Sequence, residues 1–176
     1  MLRRSWGRAL AAVVLLSAPL LAGDYDHVFD VVREAWPDRT VAMALCDKDA
    51  NQMTLIELAD SAKAHNLNLV IVDLKSEKDY NKTIIAALTH NPGFFLLLED
   101  DAITGLKGPL TSRMIYRVAG KSVPTVALSK AALKLGAVLT AGPGTSDPVY
   151  VSNDVAKRMD LALPAGAIDP AEHKTK

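Results

Sequence analysis

At 176 residues, 49% of them hydrophobic and 23% charged, the chain has the length and apolar content for one domain with a proper core. Its 20 basic residues are balanced by 20 acidic ones, and no basic stripe is present to hold a phosphate backbone, which argues against nucleic-acid binding. The one cysteine, Cys46, has no partner for an internal disulfide, so the core holds the fold unaided.

Residues 1–23 read as a secretory signal peptide. Arg3, Arg4 and Arg8 form a basic start, Ala9 to Ala22 an apolar stretch, and Ala22 with Gly23 a small-residue cleavage site. The apolar run is interrupted by Pro19 and is shorter than the roughly 20 residues a membrane-spanning helix needs. Asp24 stands where a lipoprotein signal needs cysteine, so a periplasmic protein without a lipid anchor is expected. Loss of the three arginines leaves the mature chain with a small acidic excess.

From Asp24 to Pro164 the pattern predicts a single α/β domain. Val28, Val31, Val32 and Ala35 recur at helical spacing until Pro37 stops them. Thr40 to Cys46 reads as a buried strand, followed by a helix with Leu55, Leu58, Ala59 and Ala62 on one face. Leu67 to Leu74 is a second strand. Ser76 and Asp79 have capping-box spacing before a helix that turns Tyr80, Ile84, Ile85 and Leu88 inward. Phe94 to Leu98 is a third strand, and Leu110, Met114, Ile115 and Val118 mark the inner face of a further helix. Val123 to Ser129 and Gly136 to Gly142 complete five strands, and residues 165–176 read as a flexible tail. Strands apolar on both faces, alternating with helices, predict a three-layer domain with a mostly parallel sheet of flavodoxin-like or Rossmann-like topology.

In such a sheet ligands bind at the edge where the strands end. The loops there are 46–51, 73–76, 99–102, 129–130 and 141–144. None carries a dinucleotide or P-loop glycine pattern, so no nucleotide cofactor is expected. Asp47, Asp49, Glu99, Asp100 and Asp101 are oxygen ligands in kind, but carboxylates at strand ends and helix N-termini are ordinarily solvated, and no metal is expected. His27, His65, His90 and His173 are scattered along the chain, and no serine stands in a nucleophile elbow. No catalytic residue, and hence no enzyme, is expected.

Two stretches carry a family resemblance. Val123 to Gly144, "VPTVALSKAALKLGAVLTAGPG", and Val151 to Pro164, "VSNDVAKRMDLALP", resemble the closing part of the periplasmic ABC-transporter substrate-binding proteins. Asn153, Ala156, Leu161 and Pro164 stand at the positions of that family's closing segment, and Asp101 at its strand-end aspartate. The resemblance implies a ligand cleft between two lobes, yet this chain has room for one. Asp160 replaces the family's usual glycine at a helix end, which puts the shape of that turn in question.

The resemblance implies a non-catalytic module for transport, binding a small organic ligand at the carboxyl edge of the sheet through Asp47, Asn51, Ser76, Asp101 and Ser129. It also implies a transporter permease or another periplasmic protein as partner. A homodimer would rebuild the missing half of the cleft. The competing reading is a ligand-free interaction module that docks onto a membrane complex or sensor.

Overall fold

The computed structural model describes residues 23–172. The expected signal segment, apart from Gly23, and the last four residues, His173 among them, lie outside the described residues.

Strand and helix alternate along the chain. The helices are α1 (Asp26–Ala35), α2 (Gln52–Ala64), α3 (Tyr80–Leu88), α4 (Thr111–Ala119) and α5 (Asn153–Arg158). The strands are β1 (Val41–Cys46), β2 (Asn68–Asp73), β3 (Phe94–Leu96), β4 (Thr125–Ala127), β5 (Leu139–Ala141) and β6 (Val149–Val151). They form one sheet in the order β2-β1-β3-β4-β5-β6, parallel through β5 and antiparallel at β6. The flavodoxin-like order predicts a crevice between the ends of β1 and β3, where the connections leave in opposite directions.

Alternation along the strands sorts the core into two layers. Ala42, Ala44, Cys46, Phe94, Leu96 and Leu98 face α1 and α2, where Val28, Phe29, Val32, Leu58 and Ala62 meet them. Met43, Leu45, Phe95 and Leu97 face α3 and α4, against Tyr80, Ile84, Met114, Ile115 and Val118. Burying both faces is what makes these strands read as unbroken apolar runs. Phe29 packs its ring against Phe94 at 6.2 Å and against His65 at 5.9 Å, which seats α1 and the end of α2 on the sheet.

The structure departs from the sequence reading in four places. A sixth strand, β6, forms from the short link after Gly144, because Val149 to Val151 pair with β5 and close an edge that would otherwise expose unpaired backbone. The first part of the expected tail is not loose. The Ile168 amide donates to Val149 O and its carbonyl accepts from Val151 N, in a parallel bridge beside β6. Ala59 and Ile85, expected on inner helix faces, are exposed, and Ser61 and Ala87 take the buried positions instead. The Ser76 hydroxyl bonds the Asp79 carboxylate at 2.7 Å rather than a backbone amide, so the capping box does not form.

The segment that follows α5 returns across the first core layer. Met159, Leu161 and Leu163 pack on it, Pro164 is buried, and the Trp36 indole donates to Ala162 O at 2.8 Å. Asp160 takes the left-handed conformation (φ 52°), with Leu161 N donating to Ala156 O at 3.0 Å. The turn therefore keeps the Schellman shape that glycine ordinarily provides.

Candidate functional site

The crevice between β1 and β3 is occupied by the chain itself. Asp101, 3% exposed, has both carboxylate oxygens engaged. One accepts from Asp47 N at 3.0 Å and from Asn51 Nδ2 at 2.8 Å. The other accepts from Ile103 N at 3.0 Å, Thr104 N at 2.7 Å and Thr104 Oγ1 at 3.0 Å. The Thr104 hydroxyl, fully buried, lies 2.6 Å from Leu45 O, which ties the loop after β3 to the end of β1. Gly105 and Gly108 allow this loop to fold on itself, since a side chain at Gly105 would overlap the carbonyls of Glu99 and Asp101. The switch point is a hydrogen-bonded plug.

Beside the plug, on the α1 and α2 side, lies a cavity of about 180 Å³. Asp24 and Tyr25 border it before α1, Asn51, Thr54 and Glu57 at the start of α2, and Leu98, Glu99, Asp100 and Leu128 at the ends of β3 and β4. Tyr25 is 5% exposed, and its hydroxyl, which keeps some solvent access, makes no hydrogen bond among the described residues. Burial, reinforced by the carboxylates of Asp24, Glu99, Glu57 and Asp100, holds the Tyr25 phenol above its usual range. Glu99 accepts a short hydrogen bond from Ser129 N, and burial still raises its carboxyl above the ordinary glutamate value. Asp24, Glu57 and Asp100 have no cationic partner among the described residues. Helix N-termini at this edge favour nearby acids. That explains Asp24, before α1, but not Glu57, which lies beyond the first turn of α2, or the Glu99–Asp100 pair that follows a strand. The arrangement is a small acidic cup with an aromatic wall, able to receive an ammonium group through charge, hydrogen bonding and cation–π contact.

Asp47, Asn51 and Asp101 meet at the plug, whereas Ser129 N bonds the Glu99 carboxylate at the neighbouring cavity. Ser76 does neither: it follows β2 at the edge of the sheet and is bonded to Asp79. Ser129 Oγ accepts from Ala131 N at 3.1 Å at the start of a short 3-10 turn. Of the five, Asn51 alone borders the cavity. Asp24, Tyr25 and Glu57 were not singled out from sequence. The periodicity of the first helix begins after Asp24 and Tyr25, and Glu57 reads as one more charge on a solvated face.

The acids after β1 already hold a cation. The Lys75 ammonium lies 2.8 Å from Asp47, 2.6 Å from Asp49 and 3.5 Å from Asp73, and its hydrogen bonds to Asp47 and Asp49 raise its pKa. Among the described residues no group of three or more potential ligands is arranged to hold a metal ion. Cys46 is fully buried, and burial pushes its thiol up to about 12, far from the range of a reactive thiolate.

No known family model matches this chain, and no curated protein does. Solved structures do. A conserved domain protein from Vibrio cholerae matches with a TM-score of 0.66 at 15% identity, over 84% of this chain and 60% of its own. An ABC domain from Streptococcus pneumoniae in complex with L-Trp matches at 0.65 and 10% identity, over 83% and 62%. The ligand-free, open structure of a substrate-binding protein with adhesive properties from Clostridium difficile matches at 0.61 and 10%, over 80% and 58%. The chain thus spans less than two thirds of each of these proteins, in keeping with the single lobe expected. Over four fifths of its length the chain shares the α/β fold of these structures. Among the described residues no helix is long and apolar enough to cross a membrane.

Proposed function

We propose that this chain is a non-catalytic binding module that receives the ammonium group of a small organic ligand in the acidic cup at the carboxyl edge of its sheet. The observation that carries this reading is the Tyr25 hydroxyl, unpartnered in a cavity shared with four carboxylates and no cation. Support comes from the fold, whose ligands belong at this edge, and from the neighbour solved with L-Trp, a ligand that carries an ammonium group. The cup, at about 180 Å³, is smaller than the roughly 300–1,000 Å³ of a complete small-molecule pocket. It is half a site, sized for a head group, and a second surface covers the rest of the ligand.

Met53 and Ile56, 71% and 57% exposed, lie on the same helix as the cup residues Thr54 and Glu57 and offer an apolar patch on α2 for that contact. The surface is either a second copy of the chain or a transporter component, and transport from the periplasm follows from the second case. In this reading Asn51 keeps the ligand role expected of it. Asp47 and Asp101 position the loops, and Ser129 holds Glu99. The same exposed pair, together with the plugged switch point, favours the second reading, a ligand-free docking module.

The two readings part in a calorimetric titration. Tryptamine, which carries an ammonium, is expected to bind saturably, and tryptophol, the same indole with a neutral hydroxyl in its place, is not. Glu57→Gln removes one surface carboxylate and is expected to weaken tryptamine by about fivefold to tenfold with the fold unchanged. Equal binding of the two probes, or none of either, favours the docking module.

A further inference from the structure

The opposite edge of the sheet carries a larger cavity of about 610 Å³, built by the segments that lead into β1, β3 and β4 together with the last turns of α3 and α4. We propose that it is a second binding site, for an amphiphilic organic anion: a carboxylate carried on an apolar body. Arg39, Arg117 and Lys121 line it, and no acidic residue does. Among the described residues neither Arg117 nor Lys121 has an ion-pair or hydrogen-bond partner for its side-chain cation.

The Arg39 guanidinium is fixed in advance. Its Nη1 donates to Gly93 O at 2.7 Å and to Ser122 O at 3.3 Å, two carbonyls from different loops. Its remaining nitrogens have no acceptor among the described residues and stay free for a ligand. Gly93 is required for this approach, because a side chain there would meet Arg39 Cβ at 2.9 Å.

A helix C-terminus favours basic residues, and that alone accounts for the sign of Arg117 in the last turn of α4. It does not account for Arg39, which follows α1 and is held across the sheet edge by two loops. Nor does it account for a cavity of this size with three cations and no acid. The apolar wall decides the rest of the ligand. Leu88 and Val123 line the cavity, and Ile85 turns a large side chain outward at 53% exposure. A bare inorganic anion would leave that wall wet, whereas an alkyl or aryl carboxylate covers it. The volume falls within the roughly 300–1,000 Å³ of small-molecule pockets.

The test is calorimetry on the full chain with octanoate, with inorganic phosphate and phosphatidylglycerol vesicles as the other arms. Octanoate is expected to saturate one site. The double variant Arg117→Gln/Lys121→Gln, which alters exposed side chains and leaves Arg39 in place, is expected to weaken it at least about tenfold. Ile85→Ser is expected to weaken octanoate as well. Absence of saturable octanoate binding, or an affinity untouched by the double variant, overturns the proposal. Phosphate binding as tight as octanoate overturns the role of the apolar wall. Vesicle binding without octanoate binding overturns the soluble carboxylate in favour of a lipid headgroup. Tryptamine binding at the carboxyl edge is read separately, so this site and the ammonium cup stand or fall independently.

Discussion

Asp101 was legible as the strand-end aspartate, but its work is not that of an exposed ligand. Five donors from its own chain converge on it. Asp101→Asn turns an amide toward at least one of these donors and leaves buried N–H groups unpaired. The expected loss is about 3 kcal/mol of stability, measured as a lower urea midpoint. An unchanged midpoint would return Asp101 to the ligand set. Asp160 illustrates a different limit. From sequence it stood in a glycine's place with an uncertain turn; the structure keeps the turn and puts aspartate in the left-handed region. Asp160→Gly is expected to raise stability by about 0.5–1 kcal/mol, read from thermal unfolding. Tyr25 was not legible at all, because its importance lies in four carboxylates brought to it from three separate stretches of chain.

Whole elements were easier to read than single side chains. The β1 to β5 strands and the helices between them follow from apolar period and length, since a strand buried on both faces leaves a short apolar run. The element missed was β6. Three residues behind a Gly–Pro–Gly loop carry little periodic signal, and only pairing with β5 defines them as a strand. The loop after β3, expected at the ligand-binding edge, is packed tightly enough to seal the switch point. Gly105→Ala tests that packing. The added methyl group would overlap the carbonyls of Glu99 and Asp101, and a loss of about 1–3 kcal/mol is expected in chemical denaturation. Among the described residues the non-glycine positions at positive φ, Asn66, Asn91, Ser122 and Asp160, each follow a helix. None of these four positions holds the glycine that ordinarily takes the left-handed conformation after a helix.

At the scale of the molecule, an overall charge balance conceals a separation. Uncompensated acids gather at the carboxyl edge around Tyr25, and uncompensated bases at the amino edge around Arg39. Composition argued against a nucleic-acid stripe but could not reveal two opposed cups, because each is assembled from residues distant in sequence. Recognition of an ammonium group by the acidic cup at the carboxyl edge is best measured in a tryptamine titration followed by backbone amide NMR. Saturable shifts are expected at Tyr25, Thr54, Glu57 and Asp100, with the amides of Lys75 and Ser76 unmoved. Shifts confined to the loops around Lys75, or none at the cup at saturating tryptamine, would contradict that recognition.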